Sequence, residues 1–282
     1  MAKKKKKNIA RKIFLSFILF IVLMGAAGSL AWKYRYPLYS KYQNYIPISV
    51  VKYMRSIRPT QHLDPNIPFK QHHMTVATHN SAAVFGIDVS HYQDIIDWSK
   101  VENIPGLRPV EFVFIRATMG RSKRDSYFTY NWKSTKGKFL RGAYHYYRPD
   151  ENSLLQADNF IKVVTLEEGD LPPVLDIEKM PKGQSMDSLK IGLKRWLNKV
   201  ENHYKVRPII YSGDHYFNNF LEKEFADYTL WIANYNRSLK APKKHWKMWQ
   251  YSEKGVIDGI NEFVDLNLFD GSLEELKGMT KK

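Results

Sequence analysis

A recurrence beginning at Val84 constrains the fold most: apolar or β-branched runs of five to seven residues, separated by helical patterns or turn residues. Eight such runs fall at 84–89, 111–117, 141–147, 173–178, 207–212, 228–233, 246–251 and 262–266. Runs of this length read as strands covered on both faces, and strands that alternate with helices build a mainly parallel sheet. Helical patterns follow the early runs, at 98–103, 128–136, 153–164 and 186–204. In the last, Leu189, Leu193, Trp196, Leu197 and Val200 form a stripe at helical spacing, which is a core face rather than a cofactor box. The later connections are short, with 12 residues between the sixth and seventh runs, whereas a parallel crossover needs about a dozen or more and usually a helix. The pattern therefore predicts an α/β fold, an irregular (β/α) TIM-like barrel with some helices missing in the second half and some strands antiparallel.

Four carboxylates stand where these runs meet loops. Asp88 lies in Phe85-Gly86-Ile87-Asp88-Val89-Ser90, Asp176 and Glu178 in Val174-Leu175-Asp176-Ile177-Glu178, and Asp265 in Phe263-Val264-Asp265-Leu266-Asn267. Pro172-Pro173 stops any helix before the second motif, so a period of two sends Asp176 and Glu178 to one face. Barrel enzymes carry their chemistry at the C-terminal ends of strands. One Asp at such a place more often caps a helix or bonds loop amides; four at equivalent places point to a site. Two carboxyls side by side do not both ionise easily, and the proton kept at neutral pH is what a general acid for glycosidic-bond cleavage requires. His91, Tyr144, His145, Tyr146, Tyr211, Trp231, Tyr235, Trp249 and Gln250 fall at similar places. Sugar rings offer apolar C–H faces rimmed by hydroxyls, and aromatic surface with polar tips suits them, so these residues are the candidate substrate-binding set.

Net charge is +16, which could suggest nucleic acid. Its location argues otherwise: residues 1–80 hold 14 Lys/Arg against one acid, Asp64, while the rest holds 30 against 27. No nucleic-acid partner is expected. Cysteine is absent, which excludes disulfides and thiolate metal sites. Lys3–Lys7, Arg11 and Lys12 precede about 20 uncharged residues, 13–32, so the basic tail is expected to stay in the cytoplasm and the rest to lie across the membrane. A cleaved signal peptide is the alternative, because Ser29-Leu30-Ala31 is a small-x-small site. The expected layout is a basic tail at 1–12, a transmembrane signal anchor at 13–32, a stalk at 33–81 with a short helix near 50–57, a catalytic domain at 82–275 and a C-terminal tail at 276–282. The stalk histidines His62, His72, His73 and His79 lack the spacing of a ligand set and read as solvated, so no metal is expected.

Beyond these local arguments, the order Gly86-Ile-Asp-Val-Ser90, Phe114-Ile-Arg-Ala-Thr118, Arg141-Gly-Ala-Tyr-His-Tyr146, Gln156-Ala157, Leu171-Pro-Pro-Val-Leu-Asp-Ile-Glu178, Pro208-Ile-Ile-Tyr-Ser212, Leu230-Trp-Ile-Ala-Asn-Tyr235, Trp249-Gln-Tyr251 and Val264-Asp-Leu-Asn267 resembles glycoside hydrolase family 25, the Chalaropsis-type and phage-type lysozymes. The resemblance spans about residues 84–270. It implies an irregular (β/α) barrel, no metal or other cofactor, peptidoglycan glycan strands as partner, and cleavage of the β-1,4 bond from N-acetylmuramic acid to N-acetylglucosamine. By motif matching it implies Glu178 as general acid, Asp176 beside it to hold or polarise the 2-acetamido group, and Asp88 and Asp265 completing the cluster. Attack on the anomeric carbon by that acetamide or by an enzyme carboxylate both remain open. The chain departs from the family at Met119-Gly120, where members commonly carry Glu-Gly. That departure supports a competing reading, a catalytically inactive peptidoglycan-binding module; a chitinase-like or N-acetylglucosaminidase activity is a third.

Overall fold

The structure, a computed structural model, describes residues 70–104, 108–235 and 246–282. Eight strands close into a barrel: β1 (Val84–Val89), β2 (Phe112–Met119), β3 (Leu140–Tyr146), β4 (Val174–Asp176), β5 (Ile209–Gly213), β6 (Leu230–Ala233), β7 (Met248–Gly255) and β8 (Val264–Phe269). Each predicted run overlaps one of them. Neighbours from β1 to β7 pair in parallel, and β8 pairs antiparallel with both β7 and β1 to complete the ring. Only residues 256–263 separate β7 from β8, too few for a parallel crossover, so the chain turns back.

Among the described residues five helices longer than five residues accompany the barrel: α1 (Lys70–His79), α2 (Phe128–Thr135), α3 (Ser153–Val163), α4 (Met186–Tyr204) and α5 (Leu273–Gly278). The longest, α4, begins at Ser185, whose side chain accepts from the Ser188 N–H, and ends at Lys205 in a left-handed conformation. Its predicted stripe, Leu189, Leu193, Trp196, Leu197 and Val200, is buried throughout. Between β5 and β6 there are only three short helical pieces, Asp214–Tyr216, Phe217–Leu221 and Glu222–Phe225.

Four expectations need correction. The helix expected at 98–103 is absent: the backbone turns at 97–100 and reaches a two-residue strand at Asn103–Ile104, so the first connection also lacks an α-helix. The folded domain starts by residue 70, not 82, because α1 packs on the barrel through buried Val76 and Ala77. His73 is accordingly not a solvated linker histidine; its Nε2 lies 2.8 Å from Ser252 Oγ and its ring meets Tyr251 edge-on. Nor are residues 276–282 a tail: Leu276 is fully buried, and Lys281 exchanges backbone hydrogen bonds with Gly169 and Asp170. The predicted anchor at 13–32 and the short helix near 50–57 lie outside the described residues. Among the described residues no helix is long and apolar enough to cross a membrane.

Strand alternation divides the core in two. Outward side chains such as Ile87, Val113, Ile115, Leu175, Ile210 and Ile232 pack under the helices. Inward ones, including Val84, Phe112, Phe114, Val174, Ile209, Trp231, Met248 and Phe269, fill the barrel. Glycines occupy two of the inward positions in the packed interior, Gly86 and Gly142. A Cβ on Gly86 would stand 2.5 Å from the Phe112 ring and backbone oxygen, and one on Gly142 would stand 2.3 Å from the Phe114 ring. The missing side chains give these phenyl rings their room, and the packed interior becomes a floor on which polar residues at the upper strand ends are mounted.

Candidate active site

The strand register assembles the upper layer. Asp88 on β1 lies opposite Asp265 on β8. Around the barrel, Tyr146 on β3 pairs with Asp176 on β4, Asp176 with Tyr211 on β5, and Tyr211 with Trp231 on β6. Glu178 stands two residues beyond Asp176 on the same side, while Ile177 between them is buried in the outer core. All four predicted carboxyls thus line one cleft of about 1060 Å³ at the C-terminal mouth.

The four differ in environment. Asp176 is 4% exposed and Asp88 5%, whereas Glu178 is open to the cleft. Burial pushes Asp176 well above the usual carboxylate range, and the neighbouring Glu178 pushes it further. Glu178 is also raised, chiefly by the bulk of protein around it although water reaches its surface. Asp265 is raised by burial and then by Asp88. Asp88 rises to about 6 because burial outweighs two good donors: its Oδ2 accepts from Gln250 Nε2 (2.7 Å) and Asn267 Nδ2 (2.8 Å). Those amides cannot flip freely. Gln250 Oε1 accepts from the hydroxyls of Tyr211 (2.7 Å) and Tyr235 (2.5 Å), and Asn267 Oδ1 accepts from Trp231 Nε1 (2.8 Å), which leaves each NH₂ for Asp88.

Sequence reasoning placed Tyr144, Tyr146, Tyr211, Trp231, Tyr235 and Gln250 at the site, and all six line the cleft. Trp231 is part of its floor, stacked on Phe114 at 4.7 Å and met edge-on by Tyr211. The remaining three do not line it. His145 points away from the barrel, between the inward Tyr144 and Tyr146; it is fully buried, stacks on Trp196, and meets Thr118 Oγ1 at 2.7 Å and Gln156 Oε1 at 3.1 Å. Trp249 likewise faces out beside inward Gln250 and donates to the Asn234 carbonyl at 2.8 Å. His91 sits beside the cleft, its backbone N–H donating to Asp125 Oδ2 at 2.9 Å. For His145 and Trp249 the physical reason is the period of two, since neighbours on a strand cannot share a face; His91 instead opens the helical turn His91–Gln93 after β1.

Arg116, Asp125 and Asn267 belong to the site but were not among the candidates. Arg116 lines the cleft as the inward residue after Phe112 and Phe114, and Asn267 follows Asp265 by two, so alternation from residues already chosen would have found both. Arg116 Nε donates to Asp125 Oδ2 at 3.0 Å, Nη2 meets His91 Nδ1, and the guanidinium lies 5.3 Å from the Tyr92 ring. Burial pushes the Asp125 carboxyl up, but His91 and Arg116 outweigh it and hold the group below its usual range. An anchored cation therefore faces the Asp176–Glu178 pair and favours its ionised form. No group of three or more potential metal-ligating side chains occurs among the described residues.

A closed barrel with paired carboxyls, both biased toward the protonated form by burial, and aromatic walls at its C-terminal mouth has the parts of a glycoside hydrolase. The sequence model for Glycosyl hydrolases family 25 matches residues 87–260, and the chain belongs to that family. It is 41% identical to the uncharacterized protein YegX of Escherichia coli O6:H1 over 202 residues, 70% of this chain and 74% of that one. It is 32% identical to Lysozyme M1 of Streptomyces globisporus over 218 residues, 72% and 73% of the two chains. The structure of a family 25 glycosyl hydrolase from Bacillus anthracis superposes with a TM-score of 0.64 at 28% identity, covering 71% of this chain and 95% of that one.

Proposed function

We propose that this chain is a peptidoglycan hydrolase of the lysozyme type, a muramidase cutting the β-1,4 bond between N-acetylmuramic acid and N-acetylglucosamine. The observation that carries the reading is the Asp176–Glu178 pair: both carboxyls line the cleft and are pushed upward, and Glu178 is the exposed member of the two. Burial and mutual repulsion favour keeping a proton on the pair, most strongly at Asp176, and Glu178 is the member through which that proton can reach a leaving-group oxygen. Glu178 is the general acid. Asp176 Oδ1 is buried without a hydrogen-bond partner among the described residues, a costly arrangement that a donor from the ligand would relieve. The acetamide N–H of the sugar is such a donor. Asp176 therefore holds that group and opposes the positive charge that develops at the anomeric carbon.

Met119 lines the cleft, but its Sδ contact is Arg148 Nη2 at 3.7 Å, away from the acid cluster. The departure at this position leaves the carboxyl set intact. Product analysis on purified sacculi tests the reading: the wild type should release fragments with muramic acid at the reducing end. Glu178→Gln should lower that release by roughly 10²–10⁴-fold. Undiminished release, or N-acetylglucosamine at the reducing end, would contradict it.

The same proposal includes a tether. Residues 13–32, preceded by basic residues and free of charge, hold the protein to the membrane with the hydrolase domain on the far side. Full-length protein should fractionate with membranes and retain its N-terminal peptide. A mature N-terminus near Trp32 would refute the tether and leave the hydrolase reading untouched.

A further inference from the structure

The cleft continues past the carboxyl cluster. At about 1060 Å³ it stands at the top of the ~300–1,000 Å³ range that encloses a drug-sized ligand. Its extension is walled by the β3–α3 connection, with Arg148, Asp150 and Glu151, and by the β4–α4 connection, with Lys179 and Lys182. The two acids of this arm are already occupied. Asp150 accepts from the backbone N–H groups of Lys182 (3.0 Å) and Gly183 (2.8 Å); Glu151 accepts from the Arg121 N–H (2.7 Å) and pairs with Arg148 (3.2 Å).

The two lysines lack a carboxylate partner within ion-pair distance among the described residues, although Lys179 is hydrogen-bonded to the Tyr146 hydroxyl at the cleft wall. Its Nζ lies 5.6 Å from the Tyr146 ring centre. Surface lysines usually serve only solubility. These two differ in lining the same cleft as Glu178, and in sitting on a loop that the Asp150 bonds hold in place. An acidic floor and a cationic arm along one groove suit a ligand that is neutral where it is cut and anionic where it branches.

We propose that this arm binds the carboxylates on the peptide branches of the glycan strand, so that the enzyme selects peptide-substituted chains over bare ones. The inference rests on the muramidase reading above. Two exposed ion pairs at a rim are each worth a modest factor and are screened by salt.

The test compares kcat/KM on peptide-bearing glycan strands with that on the same strands stripped by an amidase, for the full-length wild type, Lys182→Gln and Lys179→Gln/Lys182→Gln. The wild type should favour peptide-bearing strands at low ionic strength. The double variant should lower that preference about 3- to 10-fold, through KM rather than kcat, and 0.5 M salt should erase most of it. A preference equal in wild type and double variant, or no wild-type preference at all, would overturn the inference while leaving the muramidase reading standing. Failure of the wild type to cut either strand would overturn both.

Discussion

Asp88 binds two amide donors on one oxygen and is still held near pH 6 by its burial, so its ionisation costs the fold free energy. The sign follows from linkage. The unfolded group ionises near 3.8 and the folded one near 6, so stability is full below the lower value and declines as pH rises through the window between them. Asn at this position can keep its carbonyl on Gln250 and Asn267 while adding a donor toward Asp265. Asp88→Asn should therefore stabilise the protein at pH 7.5 by on the order of 2 kcal/mol and leave it unchanged at pH 3, measured by thermal melts at each pH. Arg116 acts in the opposite sense. A nearby cation favours carboxylates, so Arg116→Met should move both limbs of the pH–rate profile upward, and Arg116→Lys should recover part of the shift. An unmoved profile would show that Arg116 only supports the loop. At this scale the strand alternation was legible, because Asp88, Asp176, Tyr144, Tyr146 and Gln250 sit on inward beats of buried strands. His145 and Trp249 were misplaced because a motif marks both faces of a strand equally.

Elements were legible in proportion to how much of their pattern depends on packing. The eight runs and α4 were plain, since burial on two faces or along a helical stripe forces apolar residues at fixed spacing. The helix α1 left little trace: Lys70–His79 buries few apolar side chains, Val76 and Ala77 among them, and docks also through His73, which meets Ser252 and the Tyr251 ring. Burial, aided by the adjacent His72, lowers His73 to about 4, so it is neutral in the folded protein at pH 7. Its contribution is full above the unfolded value of 6.5 and is lost as pH falls toward 4. His73→Gln should flatten the decline in melting temperature across that window; an unchanged decline would place the acid sensitivity elsewhere, with His145 the next candidate. Inside the barrel, the close approach at Gly86 involves backbone as well as ring, so it cannot relax by a rotamer change alone. Gly86→Ala should destabilise by about 1–3 kcal/mol in denaturant titrations. Gly137→Ala is a useful contrast, because nothing lies within 4 Å of its added methyl and only its positive φ opposes the change.

For the whole molecule, the barrel could be read from the chain because the carboxyls of the first and eighth strands share a site only in a closed sheet. The missing helix of the first connection and the docking of residues 276–282 could not, since both depend on which surfaces happen to lie beside them after closure. That closure has a consequence in time. The ring shuts through β8, the strand that leaves the ribosome after the other seven, and β8 brings both Asp265 and the Asn267 that orients against Asp88. A growing chain holds Glu178 and Asp176 without a sealed wall around them. Cutting power therefore arrives in one step with the finished domain, and no shorter intermediate carries it.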